Sequence, residues 1–310
     1  MKKWLLIVLA FAAVQASCQK ETDTPAGNGV CLTLGASLRT ATKLDWSGSD
    51  ESGYKATFNA HDRLLLYFRN ASGTQVGQTF TLPIDISTLS ADGRIASFTG
   101  SDVFIPDGAT QIFAYLDNDA EPDYMTYGTT PYVELASQSG TLAEATGRQI
   151  IAGSLPLEGL QQKPGALAGN IDFNLRTSIL KLELTFPEGS VPAADTPITL
   201  SNEGKTFYNR IRLYWGEPFY IANRNTKGPI TTYASSVEGN TLHSWICIWA
   251  GDSFSGSVIE IKDGQTTWTA TFDPQETPQA GSLYRIRRTL SAWDPETGSG
   301  GITGGGYTEK

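Results

Sequence analysis

Beyond residue 28, the chain is a succession of short runs in which apolar and polar residues alternate, separated by Gly, Pro, Asn and Asp. A period of two is typical of half-buried β-strands, and the frequent turn residues predict that the strands are short. The first run places four apolar residues on one strand face: Val30, Leu32, Leu34 and Ala36. Two continuously apolar runs, Leu64–Phe68 and Trp245–Trp249, predict strands buried on both faces. Few segments show helical periodicity, and a single short turn of helix is predicted over Thr141–Gly147. The pattern therefore predicts an all-β protein.

The strands divide into two groups, which predicts two β-sandwich domains in tandem. Residues 147–170 carry several glycines and prolines, so we place the boundary near residue 165. The expected domains are 29–165 and 166–293. The tail, 294–310, contains six glycines and little to bury, which predicts a flexible segment.

The first 17 residues have the character of an export signal, because two lysines precede an apolar run too short to remain in a bilayer. The small residues before Cys18 resemble the lipobox of bacterial lipoproteins, in which the cysteine is acylated and becomes the mature N-terminus. Residues 18–28 are polar and predict a flexible tether. The stretch after Cys18 resembles the signal that directs lipoproteins to the outer leaflet of the outer membrane. We therefore expect a surface-exposed lipoprotein of the outer membrane, with an ordinary cleaved secretory signal as the alternative.

The charge balance narrows the range of partners. The chain has 23 Lys and Arg against 32 Asp and Glu, and removal of the two signal lysines leaves 21 against 32, a net charge of −11. So acidic a surface has no general attraction for phosphate backbones, which excludes nucleic acid as a partner.

Cys31 shares a predicted strand face with Thr33 and lies far from Cys247 in sequence. We therefore expect two separate thiols rather than a disulfide.

Residues that could support catalysis are scarce. Two histidines, His61 and His243, without clustered cysteines do not make a zinc site. The hexapeptide Gly251–Gly256 contains serines but joins two predicted strands, where its composition favours a turn over an activated nucleophile. Asp117 begins an acidic loop that lacks the glycine and glutamate positions of a helix–loop–helix calcium site. We expect no enzymatic activity, no metal and no cofactor.

Several segments, taken in order, resemble the fimbrillin family, the type V pilin-like lipoproteins of Gram-negative anaerobes. They are the lipobox, the strand Val30–Ala36, the run Phe58–Phe68, the hairpin Asp92–Gly100, the strands Phe173–Phe186 and the closing strand Ala280–Ile286. The resemblance implies two transthyretin-like β-sandwiches in tandem. It also implies a fimbrial location and a role as a shaft, anchor or tip subunit, with other pilus subunits as partners and a host or bacterial surface ligand as a further candidate.

In shaft subunits of this family, a trypsin-like protease cuts after an arginine in the loop behind the first strand, and that strand is lost. The C-terminal strand of the next subunit then fills the groove by strand addition. By this resemblance Arg39 is the candidate processing site, Lys43 is a second basic candidate, and the run from Val30 to Ala36 is the replaceable strand. The tail lacks the alternating apolar residues of a donor strand, so the anchor and tip roles remain open beside the shaft role.

The alternative function is that of a glycan-binding surface lipoprotein of a nutrient-uptake system. Aromatic side chains with nearby polar groups can stack on sugar rings. Eight aromatic residues lie in or beside loop-like segments: Tyr124, Tyr127, Tyr132, Tyr208, Tyr214, Trp215, Phe219 and Tyr220. If these residues pack into the sandwich cores instead, this alternative loses its basis.

Overall fold

β-Strands make up almost all of the regular structure in the computed structural model of the protein. The described residues are 29–38, 47–49, 53–55, 57–118, 125–126, 132–163, 165–202, 207–212, 226–254, 256–264, 266–272, 278–292 and 307–309. The strands are β1 (Val30–Leu38), β2 (Ser47–Ser49), β3 (Gly53–Lys55), β4 (Asp62–Asn70), β5 (Gln75–Asp85), β6 (Ile95–Val103), β7 (Ala109–Asn118), β8 (Met125–Thr126), β9 (Tyr132–Glu134), β10 (Ile151–Pro156), β11 (Gln161–Lys163), β12 (Ala166–Leu175), β13 (Thr177–Thr185), β14 (Ile198–Asn202), β15 (Phe207–Arg212), β16 (Thr226–Gly228), β17 (Ile230–Thr232), β18 (Ser236–Glu238), β19 (Thr241–Trp249), β20 (Ser257–Asp263), β21 (Thr266–Phe272), β22 (Leu283–Thr289), β23 (Ser291–Ala292) and β24 (Tyr307–Glu309). The helical elements of the described residues are one α-helix, α1 (Leu142–Gly147), and two 3-10 helices, Ile86–Thr88 and Leu157–Gly159. The predicted all-β class is confirmed.

Seven strands close into a ring in the order β1-β6-β5-β4-β7-β10-β12, and β12 pairs back with β1. The ring encloses an apolar cluster that includes Leu34, Leu66, Phe98 and Phe173, all fully buried. This arrangement differs from the predicted N-terminal β-sandwich. The parallel pairing of β1 with β12 joins two edges that a sandwich would leave open, so the sheet closes on itself.

Two five-stranded sheets, β18-β19-β13-β22-β24 and β17-β14-β20-β21-β23, lie on either side of a second apolar cluster. Leu182 and Ile246 enter this cluster from the first sheet, and Leu200 and Ile259 enter it from the second. Two layers around one core are the sandwich architecture predicted for this half of the chain. The transthyretin-like topology stays a prediction.

The change from the ring to the two-sheet unit occurs at Arg176, between β12 and β13. β12 therefore completes the ring although it follows residue 165. A small sheet, β16-β15-β9-β8, combines strands from both sides of this point, and β2 and β3 form a separate hairpin. The division into domains 29–165 and 166–293 stays a prediction.

A third apolar cluster connects the outside of the ring to the outside of the sheet that contains β19. Tyr67 of β4 and Tyr115 of β7 enter it from the ring, and Trp245 and Trp249 of β19 enter it from the sheet. The two continuously apolar runs are thus each buried on both faces, as predicted, because one face lies in the strand's own core and the other in this shared cluster.

The segment between β9 and β10 packs against β19. The predicted short helix is present as α1, and the Thr141 hydroxyl caps it by accepting a hydrogen bond from the Glu144 amide at 3.3 Å. Before the helix, the buried side-chain amide of Gln138 accepts from the backbone N–H of Cys247 and donates to its carbonyl, both at 2.8 Å. Gln138 thereby pairs with the backbone of β19 as a neighbouring strand would.

Cys31 and the tail differ from their predicted states. Cys247 is a buried thiol that forms no disulfide, whereas Cys31, on the half-exposed face of β1, is disulfide-bonded. In the tail, Tyr307–Glu309 pairs antiparallel with Tyr284–Ile286 of β22, because this edge of the sheet is open to a further strand. The rest of the tail lies outside the described residues.

Within the described ranges, no helix is both long and apolar enough to cross a membrane.

Candidate assembly site at the first strand

β1 is bonded along both of its edges. It runs antiparallel to β6, with Leu34 opposite Phe98, and parallel to β12, with Leu34 opposite Gly169. The pairing with β12 extends from Cys31 to Leu38. β1 is thus the strand that closes the ring, and it is the first element of the described chain.

The side chains of β1 alternate between the ring core and the outside, as the sequence predicts. Leu32, Leu34 and Ala36 are between 0% and 2% exposed. Val30, predicted on the same face, is only half-buried, because the register with β6 shifts between Val30 and Leu32 and takes the strand's first residue out of the core. Three of the four residues of the predicted replaceable strand therefore fill the core.

The outward face of β1 makes specific polar contacts with both neighbours. The hydroxyls of Thr33 and Thr99 of β6 lie 3.2 Å apart, and the Ser37 hydroxyl donates to Asp172 of β12 at 3.2 Å. Between them, a side chain at Gly35 would meet the side-chain oxygen of Asn170, which would have to turn away to make room. These contacts hold β1 in one register.

Without β1, the ring would present two unpaired backbone edges on either side of an apolar groove. A strand that replaces β1 would supply backbone hydrogen bonds to both edges and an apolar side chain at every second position. Since β1 is antiparallel to β6 and parallel to β12, a replacement in either direction would make one pairing of each kind. The site therefore selects mainly for the pattern of alternating side chains.

The predicted processing and lipidation residues are not among those that the structure describes. Arg39 follows directly after Leu38, the last residue of β1, and lies outside the described residues together with Lys43. Cys18 also lies outside them. Their roles stay predictions.

The aromatic residues proposed for glycan binding are described only in part. Tyr208 is half-buried beneath Lys227, whose ammonium group lies 4.3 Å from the ring centroid. Tyr132 belongs to β9, and nothing is described of its side chain. The other six lie outside the described residues: Tyr124, Tyr127, Tyr214, Trp215, Phe219 and Tyr220.

The hexapeptide Gly251–Gly256 is a turn, as predicted, but it connects β19 in one sheet to β20 in the other rather than forming a hairpin. Asp252 is buried there and accepts a hydrogen bond from the backbone N–H of Tyr208 at 3.1 Å. Burial raises the pKa of Asp252 to about 7. Sequence reasoning misses this buried carboxyl, because Asp in a Gly- and Ser-containing turn is usually exposed.

The remaining candidates for chemistry are separated in space. Asp117 is buried and paired with Arg63, whose Nε lies 2.8 Å from its carboxylate, and the rest of the acidic loop lies outside the described residues. His61 is exposed in the turn before β4, and His243 lies on β19. No three His, Cys, Asp or Glu residues of the described segments are grouped to hold a metal ion.

Comparisons with known proteins extend this description to the whole fold. No family model and no curated protein sequence matches the chain. Among solved structures, a proposed cell adhesion protein from Bacteroides ovatus is similar over 89% of this chain and 96% of its own, with 10% identity and a TM-score of 0.50. A proposed cell adhesion protein from Bacteroides uniformis has 14% identity over 90% and 99% of the two chains, with a TM-score of 0.47. The fimbrial anchor protein Mfa2 from Porphyromonas gingivalis has 12% identity over 88% and 95%, with a TM-score of 0.44. At these identities, the likeness to the Bacteroides ovatus protein shows the fold alone.

Proposed function

We propose that the protein is a cell-surface fimbrial subunit, anchor or tip adhesin that assembles by strand complementation in the ring. The observation that carries the proposal is the position of β1, the first described strand, which closes the ring and fills its core with every second side chain. The fold likeness to a proposed cell adhesion protein and the resemblance of the sequence to fimbrillins support the same reading. A surface location follows from that role and from the predicted export signal.

In this mechanism, a cut after Arg39 separates β1 from the remaining strands of the ring. Loss of β1 exposes the edges of β6 and β12, and a strand from another subunit pairs with both. The incoming strand must place apolar side chains where Leu32, Leu34 and Ala36 were. The partner is therefore another copy of this chain or a related subunit with an alternating apolar strand.

The same cut would separate the folded part from the predicted lipid on Cys18. A chain that keeps Cys18 would remain at the outer membrane as an anchor or adhesin, and a cut chain would be free to polymerise. Intact-mass analysis of the mature protein tests the anchor. Acylated Cys18 predicts a diacylglyceryl mass increment on the mature protein, and a mature chain without that increment would contradict the lipid anchor.

Limited trypsin digestion tests the processing step. The folded mature protein is expected to be cut after Arg39, to lose the fragment containing β1 and to form polymers on size-exclusion chromatography. Arg39→Gln should prevent both cleavage and polymerisation, and Lys43→Gln, which removes the neighbouring basic residue, should prevent neither. Polymers formed by Arg39→Gln as readily as by the unaltered protein, or a cut protein that stays monomeric, would contradict the proposal.

A further inference from the structure

The outer face of the sheet β18-β19-β13-β22-β24 is divided into an apolar half and a charged half. Along β13, every second residue faces away from the sandwich core, and the strands on either side supply the neighbours in each row. Ile179 begins the face in the third apolar cluster, against the ring. The three rows beyond it are Trp245–Lys181–Arg285, His243–Glu183–Arg287 and Thr241–Thr185–Thr289.

The two outermost rows border a hollow of about 470 Å³ that is lined only by polar side chains. Its volume falls within the roughly 300–1,000 Å³ typical of small-molecule sites. Glu238 of β18 and Arg288 of β22 complete its rim. β13 lies at the centre of the face with both edges paired, so the middle of the hollow offers no open backbone edge to a peptide strand.

Glu183 organises the charged half of the face. Its side chain is 7% exposed and accepts a hydrogen bond from Nε of Arg287 at 2.7 Å. It also forms an ion pair with Arg285 and lies 3.4 Å from the ammonium group of Lys181. Burial alone would raise its pKa, but the hydrogen bonds from Arg285 and Arg287 hold the pKa of Glu183 below its usual range. His243 lies 3.9 Å from the same carboxylate.

This network orients the Arg287 side chain and leaves other N–H groups of its guanidinium available for hydrogen bonds. Only Nε of Arg287 bonds to Glu183, and 60% of the side chain is exposed, so the outer edge of the guanidinium remains available to a ligand. Glu183 fixes the orientation of that edge, which reduces the entropy that binding would cost. An arginine held in this way is suited to bidentate hydrogen bonding with a carboxylate.

The face is cationic although the protein is acidic. Three cationic side chains and two carboxylates lie on it: Lys181, Arg285 and Arg287 against Glu183 and Glu238. The side chain of Arg288 points the other way and donates from its Nε to the carbonyl of Thr271 in β21. The whole chain has a net charge of −9. A local excess of positive charge within a negative surface favours an anionic ligand at this position.

We propose that this hollow binds an acidic sugar unit of a surface polysaccharide. The carboxylate of the sugar would accept hydrogen bonds from the outer edge of the Arg287 guanidinium. The hydroxyls of Thr185, Thr241 and Thr289 would form hydrogen bonds with the neutral hydroxyls of the same sugar unit. The absence of apolar side chains among the residues that line the hollow argues against an aliphatic ligand. The inference goes beyond strand complementation and does not depend on it, because no residue of the ring lines this hollow.

Isothermal titration of the mature protein with tetragalacturonate and with neutral galactotetraose tests the proposal. We expect binding of the acidic tetrasaccharide and at least tenfold weaker binding of the neutral one. Arg287→Gln should weaken the binding of tetragalacturonate by about 10- to 100-fold, the effect of losing a charge-assisted hydrogen bond. Lys262→Gln, which removes the same charge from an exposed position on β20, should leave the affinity within about twofold.

A second variant and a second ligand make the test decisive. Thermal unfolding checks that Arg287→Gln is folded; if it is not, Arg287→Lys keeps the charge and should still lose most of the affinity, because a lysine cannot make the bidentate contact. Equal affinities of the Arg287 and Lys262 variants would overturn the proposal, as would the absence of binding. Binding of a poly-glutamate peptide with the same dependence on Arg287 would also overturn it, by assigning the site to acidic peptides.

Discussion

Leu34 offers the most direct test of the role assigned to β1. It is fully buried, lies opposite Phe98 on one side and Gly169 on the other, and belongs to the ring core. Leu34→Ala removes the packing of three carbon atoms and leaves a cavity, which costs about 2–5 kcal/mol at such sites. For Leu34→Ala we expect a loss of about 3 kcal/mol in the free energy of unfolding, because Phe98 is also fully buried and the surrounding ring is closed. In the intact chain, this loss should appear in the free energy of unfolding measured with urea.

After cleavage at Arg39, the same energy determines how tightly the free β1 fragment is held. A loss of about 3 kcal/mol corresponds to a roughly 100-fold weaker retention. The assay is trypsin digestion followed by gel filtration, with mass spectrometry of the retained β1 fragment over time. Leu200→Ala, at a fully buried leucine of the sandwich core, is the matched control and should lower stability without accelerating release. Equal release from both variants, or unchanged release from Leu34→Ala, would refute the reasoning.

Three further predictions follow from individual contacts. The double variant Thr33→Cys/Thr99→Cys should form a disulfide, because the two hydroxyls lie 3.2 Å apart, and the trypsin-cut protein should then polymerise only after reduction; polymerisation of the oxidised form on size-exclusion chromatography would contradict strand release. Because burial raises the pKa of Asp252 to about 7, its carboxyl contributes stability that is fully present below about pH 4 and is lost as the pH rises through 7. Asp252→Asn should therefore stabilise the protein at pH 8 by up to about 4 kcal/mol, measured by urea unfolding, and a wild-type stability that is flat between pH 4 and 8 would contradict this. Gln138→Leu should cost about 2–5 kcal/mol in the same assay, since it leaves the buried backbone N–H and C=O of Cys247 without the amide that bridges them, and a loss under about 1 kcal/mol would contradict that role.

The parts of the fold that could be predicted are those in which one stretch of chain determines its own environment. Leu64–Phe68 and Trp245–Trp249 have no polar position, so they can lie only between two apolar layers. The alternation in β1 similarly determines which of its side chains face a core. Burial and strand faces follow from the local pattern here, except at Val30, where the register shift with β6 overrides it.

The closure of the ring could not be predicted in the same way. It depends on the parallel pairing of β1 with β12, two strands more than a hundred residues apart in the chain. Their apolar and polar pattern would be the same in an open sandwich and in a closed ring, because alternation specifies the faces of a strand and not its neighbours.

The hollow on the outer sheet face could not be predicted for a related reason. Lys181 and Glu183 alternate with leucines in β13, which predicts an ordinary solvated face. Their importance comes from His243 and Arg287, which the register of three strands places beside Glu183. The sequence directs the glycan-binding alternative to loop aromatics, whereas the proposed site consists of a charged sheet face and a row of threonines.

The arrangement of the three apolar clusters explains how β1 could be exchanged without unfolding the rest of the protein. Cluster residues of β1 lie only in the ring core, whereas the cluster that joins the ring to the two-sheet unit takes its ring residues from β4, β7 and β10. β4 and β7 remain paired with each other when β1 leaves, and they stay packed against β19 through Tyr67 and Trp245. The connection between the two units and the hollow on the outer sheet face should therefore survive the loss of β1. A cut subunit would therefore keep the proposed ligand site before a strand of another subunit fills its groove. Sugar binding measured before and after trypsin treatment should be the same.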